Sequence, residues 1–144
     1  MEIFRTDDEV LKRRAVRAVD PYFPVRLSER PDPEALLLKM LRFADFIVAA
    51  DGDEPVGLAV IYANDLESRM AYVTMFGVKD EYGRRGIGRQ LMDACRELAL
   101  SRGMDRIRLE VLNSNERAIR FYTKNGFVRT GACREDSSYM EKVL

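Results

Sequence analysis

The stretch Met75-Phe76-Gly77-Val78-Lys79-Asp80-Glu81-Tyr82-Gly83-Arg84-Arg85-Gly86-Ile87-Gly88-Arg89-Gln90-Leu91 decides how this chain is read. It begins as an apolar strand end, crosses a short polar connection, sets Gly86 and Gly88 one residue apart and then changes period. Ile87, Leu91, Ala94, Cys95, Leu98 and Ala99 fall on one helical face that stops at Gly103. Glycine lets a backbone approach a ligand closely and reach positive φ without strain. A helix start offers unpaired N–H groups and the positive end of a dipole, and Arg84, Arg85 and Arg89 add charge to it. The turn reads as a site for a phosphate or pyrophosphate. The plain alternative is a strand-to-helix turn with solvated arginines.

On the N-terminal side, residues 2–5 read as a strand and 7–19 as a helix, with Val10, Leu11, Val16 and Val19 on one broad face and a stop at Asp20-Pro21. Asp32-Pro33-Glu34 supplies an N-cap, a proline at the first helical position and an acid in the first turn. A second helix follows through Leu36, Leu37, Met40, Leu41 and Ala44. Residues 46–50 and 56–63 are β-rich runs joined by the hairpin signal Asp51-Gly52-Asp53-Glu54, and 71–78 is a third strand in the same meander. Beyond the glycine turn and its helix, 106–112 alternates, with Ile107, Leu109 and Val111 on one side. Residues 115–125 form a short helix stopped by Gly126, and 127–132 and 139–144 read as closing strands. The expected fold is α+β. One domain over residues 1–144 would carry a mixed, mostly antiparallel sheet of about six or seven strands flanked by about four helices.

Composition narrows the chemistry. Lys plus Arg and Asp plus Glu both number 24, so the net charge is zero and nothing global points to nucleic acid or an anionic membrane. No apolar run reaches membrane-spanning length and acids occupy the first ten residues, so a cytoplasmic protein is expected. Cys95 and Cys133 form no CxxC pair and read as unpaired thiols. There is no histidine. That removes the commonest general base and the commonest zinc ligand, so serine-hydrolase and zinc-hydrolase readings fall away and no metal is expected.

Three phosphate-binding patterns compete for the glycine turn. Gly83 and Gly88 have P-loop spacing, but Arg89-Gln90 replaces the lysine and the magnesium-binding hydroxyl. Gly86 and Gly88 fit the start of a dinucleotide fingerprint, but Leu91 stands where the third small residue must allow close helix packing. The third pattern is the [Q/R]xxGx[G/A] turn of acyl-CoA-dependent N-acyltransferases. Over residues 76–126 the sequence resembles the GNAT superfamily of N-acetyltransferases in several places at once. These are Phe76-Gly77-Val78, the turn Arg84-Arg85-Gly86-Ile87-Gly88-Arg89, the strand Leu109-Glu110-Val111, and Asn115-Glu116-Arg117-Ala118-Ile119-Arg120-Phe121-Tyr122 followed by Asn125-Gly126-Phe127. The chain departs from the family where Gly83 stands in place of the Gln or Arg that opens the turn.

The resemblance implies transfer of an acetyl group from acetyl-CoA, as co-substrate, to a primary amine by direct attack in a ternary complex. The acceptor would be a small molecule, an amino sugar or a protein N-terminus. It implies that the backbone at Phe76 and Val78, either side of Gly77, pairs with the pantetheine arm, and that amides at Arg84, Arg85, Gly86, Ile87, Gly88 and Arg89 hold the pyrophosphate. A side chain at Gly88 would then block that approach while leaving the fold intact. Asn115 is open between a helix N-cap and a cofactor contact. Tyr122 is either the acid that protonates the departing thiolate or an amphipathic core tyrosine. Glu110, out of phase with Ile107, Leu109 and Val111, faces either solvent or the acceptor cleft; in a related subgroup a Glu at the matching place takes the ammonium proton. Acceptor choice should lie in residues 20–30, 64–69 and 131–139, where Asp20, Asp65, Glu67, Glu135 and Asp136 either attract a cationic amine or are ordinary loop charges. Two other classes stay open: a non-catalytic CoA-binding or regulatory module of the same fold, and a nucleotide-binding protein. A homodimer is also left open.

Overall fold

The computed structural model describes all 144 residues, Met1–Leu144. The chain runs β1 (Glu2–Thr6), α1 (Glu9–Val19), α2 (Pro33–Phe43), β2 (Asp45–Asp51), β3 (Glu54–Tyr62), β4 (Met70–Val78), α3 (Ile87–Ser101), β5 (Arg106–Leu112), α4 (Glu116–Lys124), β6 (Val128–Arg134) and β7 (Ser137–Val143). Short 3-10 turns occupy Asp20–Tyr22, Leu27–Glu29 and Asp80–Tyr82. The strands form one seven-stranded sheet in the order β1-β2-β3-β4-β5-β7-β6. Only β4 and β5 run parallel, because α3 is the crossover between them. The α+β expectation of a mixed, mostly antiparallel sheet with four helices describes this architecture.

Each face of the sheet buries its own core. One holds Ile47, Ala59, Val73, Ile107 and Leu109 against Ile87, Leu91 and Cys95 of α3 and Tyr122 of α4. The other holds Phe46, Val48, Leu58, Val60 and Met75 against α1 and Met40 of α2. The alternation of β5 sorts its side chains accordingly: Ile107, Leu109 and Val111 are buried, while Arg106, Arg108 and Glu110 point to the opposite face.

Helix ends follow the local chemistry. Asp8 caps α1 by accepting from Val10 N at 2.9 Å and Leu11 N at 3.4 Å, so the helix begins at Glu9 rather than at Asp7. Val10 is 68% exposed, against the sequence expectation of a packed residue. The buried stripe is Lys12, Ala15, Val16 and Val19, an i, i+3, i+4, i+7 series from which Val10 is rotated away. Lys12 belongs to it because its stem lies along the core while Nζ sits 5.1 Å from the Phe46 ring centroid. Asp32 caps α2 through Ala35 N, with Pro33 as the first helical residue. Ala44 has already left the helix, with extended backbone.

Within α2 only Met40 is fully enclosed, whereas Leu38 is 49% exposed. Met40→Ala should therefore cost about 2–5 kcal/mol and Leu38→Ala well under 1 kcal/mol in a denaturant titration. Equal losses at the two positions would mean that α2 packs through a different face.

Candidate active site

Pairing between β4 and β5 ends at Val73↔Leu109. At the same point β4 carries a bulge: Ile61 opposes Val73 and Val60 opposes Met75, so Thr74 is the extra residue. A bulge bends its strand and interrupts the ladder. It also reverses which face each side chain meets. Ala71 and Val73 face the α3 core before it, and Phe76 and Val78 pack there after it. From 75 to 78 the strand is paired with β3 on one side only. Lys79 N donates to Val56 O at 2.8 Å, and antiparallel alternation then directs the backbone groups of Gly77 toward β3 and those of Phe76 and Val78 toward the open edge. The sheet thus contains a slot between β4 and β5, edged by unpaired backbone.

The glycine turn lies at the end of this edge. Gly86, at φ 77°, is the N-cap of α3 and no side chain caps the helix. The first helical bond runs from Gln90 N to Gly86 O. The amides of Arg84, Arg85, Gly86, Ile87, Gly88 and Arg89 consequently have no backbone acceptor. Arg84 is itself at φ 63°, which turns consecutive N–H groups inward as an anion-binding concavity requires. None of Arg84, Arg85, Arg89 and Arg117 is in an ion pair. Arg117, from the first turn of α4, places Nη2 3.4 Å from where a Cβ on Gly83 would be. The missing side chain at Gly83 leaves room for that guanidinium. The turn is held from beneath: Tyr82 Oη donates to Asp51 at 2.8 Å, Tyr22 Oη to Glu81 at 2.9 Å and Lys79 Nζ to Glu54 at 2.8 Å.

Four aromatic rings, those of Phe76, Phe121, Tyr122 and Phe127, pack together in the core beneath α3 and α4. Tyr122 lies 6.1 Å from Phe76, 5.6 Å from Phe121 and 5.7 Å from Phe127, centroid to centroid. Burial, with a smaller contribution from Cys95, pushes the Tyr122 phenol well above its ordinary range, so it stays protonated at neutral pH. The Cys95 thiol is pushed up to about 12 by burial and is an inert neutral group. Asn115 Oδ1 caps α4 by accepting from Ala118 N at 3.2 Å, which leaves its amide NH2 uncommitted to the helix.

Glu110 follows the last β4–β5 pair and points to the face opposite Leu109 and Val111. Its Oε2 accepts from Ser137 Oγ at 2.6 Å and lies 3.5 Å from Arg134 Nε. Tyr72 is a neighbour: burial, then the charge of Glu110, raises its phenol to about 12. Tyr72 and Thr74 also line an open cleft of about 510 Å³ with Leu36, Lys39, Phe43 and Tyr62. The Tyr62 hydroxyl is buried there without a partner. Sequence reading singled out neither Tyr72 nor Tyr62; Arg117 entered only as part of the family motif, and Arg134 and Ser137 only within the acceptor range 131–139. For Tyr72 a signal existed, since alternation sets it opposite the apolar Ala71 and Val73. Asp20 and Asp65, read either as attractors for an amine or as ordinary loop charges, are engaged within their own loops. Asp20 accepts from Leu27 N at 2.7 Å, and Asp65 accepts from Glu67 N and Ser68 N.

Residues 13–127 match the model of the Acetyltransferase (GNAT) family. The chain belongs to that family. Over 85 residues it is 35% identical to N-alpha-acetyltransferase 30 of Schizosaccharomyces pombe, a match spanning 57% of this chain and 56% of that protein. The chain therefore aligns with little more than half of that relative's length. Its fold is similar to that of the PaiA N-acetyltransferase of Thermoplasma acidophilum, solved in complex with coenzyme A, at TM-score 0.78 and 18% identity over 100% of both chains. It is similar also to that of a GNAT family acetyltransferase from Elizabethkingia anophelis with acetyl-CoA bound. There the TM-score is 0.74 at 17% identity, covering 99% of this chain and 97% of that one.

At Gly88 the geometry departs from one part of the sequence expectation, that a side chain would leave the fold intact. A Cβ there would lie 3.1 Å from the Phe121 ring and 3.9 Å from Phe76, so the side chain presses on the aromatic group. A Cβ on Gly86 meets nothing within 4 Å, but the residue sits at φ 77°. Gly88→Val should cost about 1–3 kcal/mol through overpacking, and Gly86→Ala about 1–2 kcal/mol through backbone strain alone. Thermal unfolding of both variants checks this, and a fully stable Gly88→Val would show that Phe121 yields freely.

Proposed function

We propose that this chain is an acetyl-CoA-dependent N-acetyltransferase acting on a primary amine by direct attack. One observation carries the reading: the free backbone edge at Phe76 and Val78 runs toward six consecutive unpaired amides, from Arg84 to Arg89. An extended amide-bearing arm can add to such an edge as a strand does, while a pyrophosphate takes the amides and the four unpaired guanidiniums. The pantetheine and diphosphate of CoA join those two chemistries in one molecule. The family match and the CoA-bound relatives support the same ligand. The nucleotide-binding alternative is weakened because the turn lacks the P-loop lysine and the third Rossmann glycine.

Tyr122 and Glu110 flank the slot from opposite faces, so donor and acceptor reach the thioester from different sides. The neutral amine attacks the carbonyl carbon and forms a tetrahedral oxyanion. As that species collapses, the carbon–sulfur bond breaks and the Tyr122 hydroxyl protonates the departing thiolate. The proton leaving the nitrogen passes to Glu110, directly or through water. Asn115 would contact the cofactor through its free NH2. The acceptor enters by the cleft beside Tyr72 and Tyr62. The name of the yeast relative favours a protein N-terminal α-amine over an amino sugar or small metabolite. We place the reaction in the cytoplasm, where the free thiols of Cys95 and Cys133 stay reduced.

Acetyl-CoA at 100 times its Kd should stabilise the protein by about 2.7 kcal/mol in a thermal shift, with ATP and NAD inert. Equal stabilisation by ATP would overturn the CoA reading. Acetyl-CoA stabilisation with no thiol release across a panel of amines would leave a binding module.

Tyr122→Phe removes one oxygen and keeps the ring. It should lower kcat by about 10²–10⁴-fold with little change in acetyl-CoA affinity, and the loss should shrink with a more acidic thiol leaving group. Wild-type turnover would make Tyr122 a packing residue.

A further inference from the structure

Glu110 is anchored by a short, specific network from the β6–β7 hairpin. Glu110 and Tyr139 are register partners across β5 and β7, which sets Ser137 diagonally beside Glu110 on the same face. Ser137 is 1% exposed although it opens a strand at a hairpin turn. Its hydroxyl accepts from the backbone N–H of Arg134 at 3.2 Å, so its own proton is left to point at Glu110 Oε2, 2.6 Å away. The side chain of the same Arg134 brings Nε to 3.5 Å from that same oxygen. Both groups converge on Oε2, Ser137 through a hydrogen bond and Arg134 through an ion pair, and no protein donor meets Oε1.

We propose that Ser137 and Arg134 are positioning residues that lock Oε2 of Glu110 and present Oε1 to the acceptor amine. The inference rests on the reading of Glu110 as the proton acceptor. A carboxylate free to rotate would spend much of its time with neither oxygen aimed at the slot, and catalysis pays steeply for such misalignment. Because both groups belong to the hairpin, the conformation of the β6–β7 turn governs the rate without touching CoA. The transferred proton moves from nitrogen to Oε1 and is released to solvent after the amide departs, while Ser137 and Arg134 keep their own protons throughout.

The test is a double-mutant cycle with a peptide bearing a free α-amine as acceptor and CoA thiol release as readout. Ser137→Ala should lower kcat by about tenfold, the scale of one lost hydrogen bond to a charged group, with the KM for acetyl-CoA unchanged. Arg134→Met, at a side chain 71% exposed and so without risk to folding, should lower kcat by about twofold to fivefold. In a Glu110→Gln background neither substitution should lower kcat further. Full additivity in that background, or wild-type kcat for both Ser137→Ala and Arg134→Met beside a slow Glu110→Gln, overturns the positioning role alone. Wild-type kcat for Glu110→Gln removes the proton acceptor, and the positioning role with it.

Discussion

Beyond Val73 and Leu109, β4 and β5 stop sharing hydrogen bonds, and the candidate site exists because of that break. Two parallel strands in register would leave no room for a ligand and no free backbone to recognise one. The bulge at Thr74 bends β4 at the residue after the last pair and keeps it on β3. One strand edge is thereby left without a partner inside the sheet, a state that folded proteins normally cover or blunt. Here it is enclosed within the fold, flanked by α4 on one face and the α2 cleft on the other. The pantetheine arm we assign to it would complete the ladder that the break interrupts.

In the mechanism we propose, the same break would let groups from both faces of the sheet serve one reaction. Tyr122 sits among Phe76, Phe121 and Phe127 on the α3 and α4 side, where burial raises its phenol above the ordinary range. Glu110 sits on the opposite face, where its Oε2 accepts from Ser137 and lies 3.5 Å from Arg134 Nε. The two groups we propose as acid and proton acceptor therefore stand on opposite faces of the sheet, one in an apolar surrounding and one in a polar surrounding. The sheet itself is the partition between them.

Charge is divided between scaffold and ligand sites in a similar way. The loop acids Asp20 and Asp65 are consumed in turning the chain, and Asp51, Glu54 and Glu81 hold the segment before the glycine turn. The arginines at 84, 85, 89 and 117 are left without carboxylates. A net-neutral chain therefore still offers one locally cationic, amide-lined concavity.

Much of this was legible in the linear chain. The 3.6-residue period after Gly86, the proline and aspartate before α2, and the strict alternation of residues 106–112 are local signals, each set by backbone sterics or a neighbouring cap. They determined the elements, their order and the side of β5 that Glu110 would take. The family motifs brought Phe76, Asn115, Tyr122 and the turn into view together. What local signals do not carry is pairing between distant segments. Val10 lay off the packed stripe because the cap at Asp8 and the sheet beneath fixed the helix rotation. The extra residue at Thr74, the hydroxyl of Ser137 on Glu110 and the guanidinium of Arg117 beside Gly83 join residues 12 to 34 positions apart. Only the tertiary structure decides such meetings, because they depend on register across the sheet and on which side chain a neighbouring element leaves out.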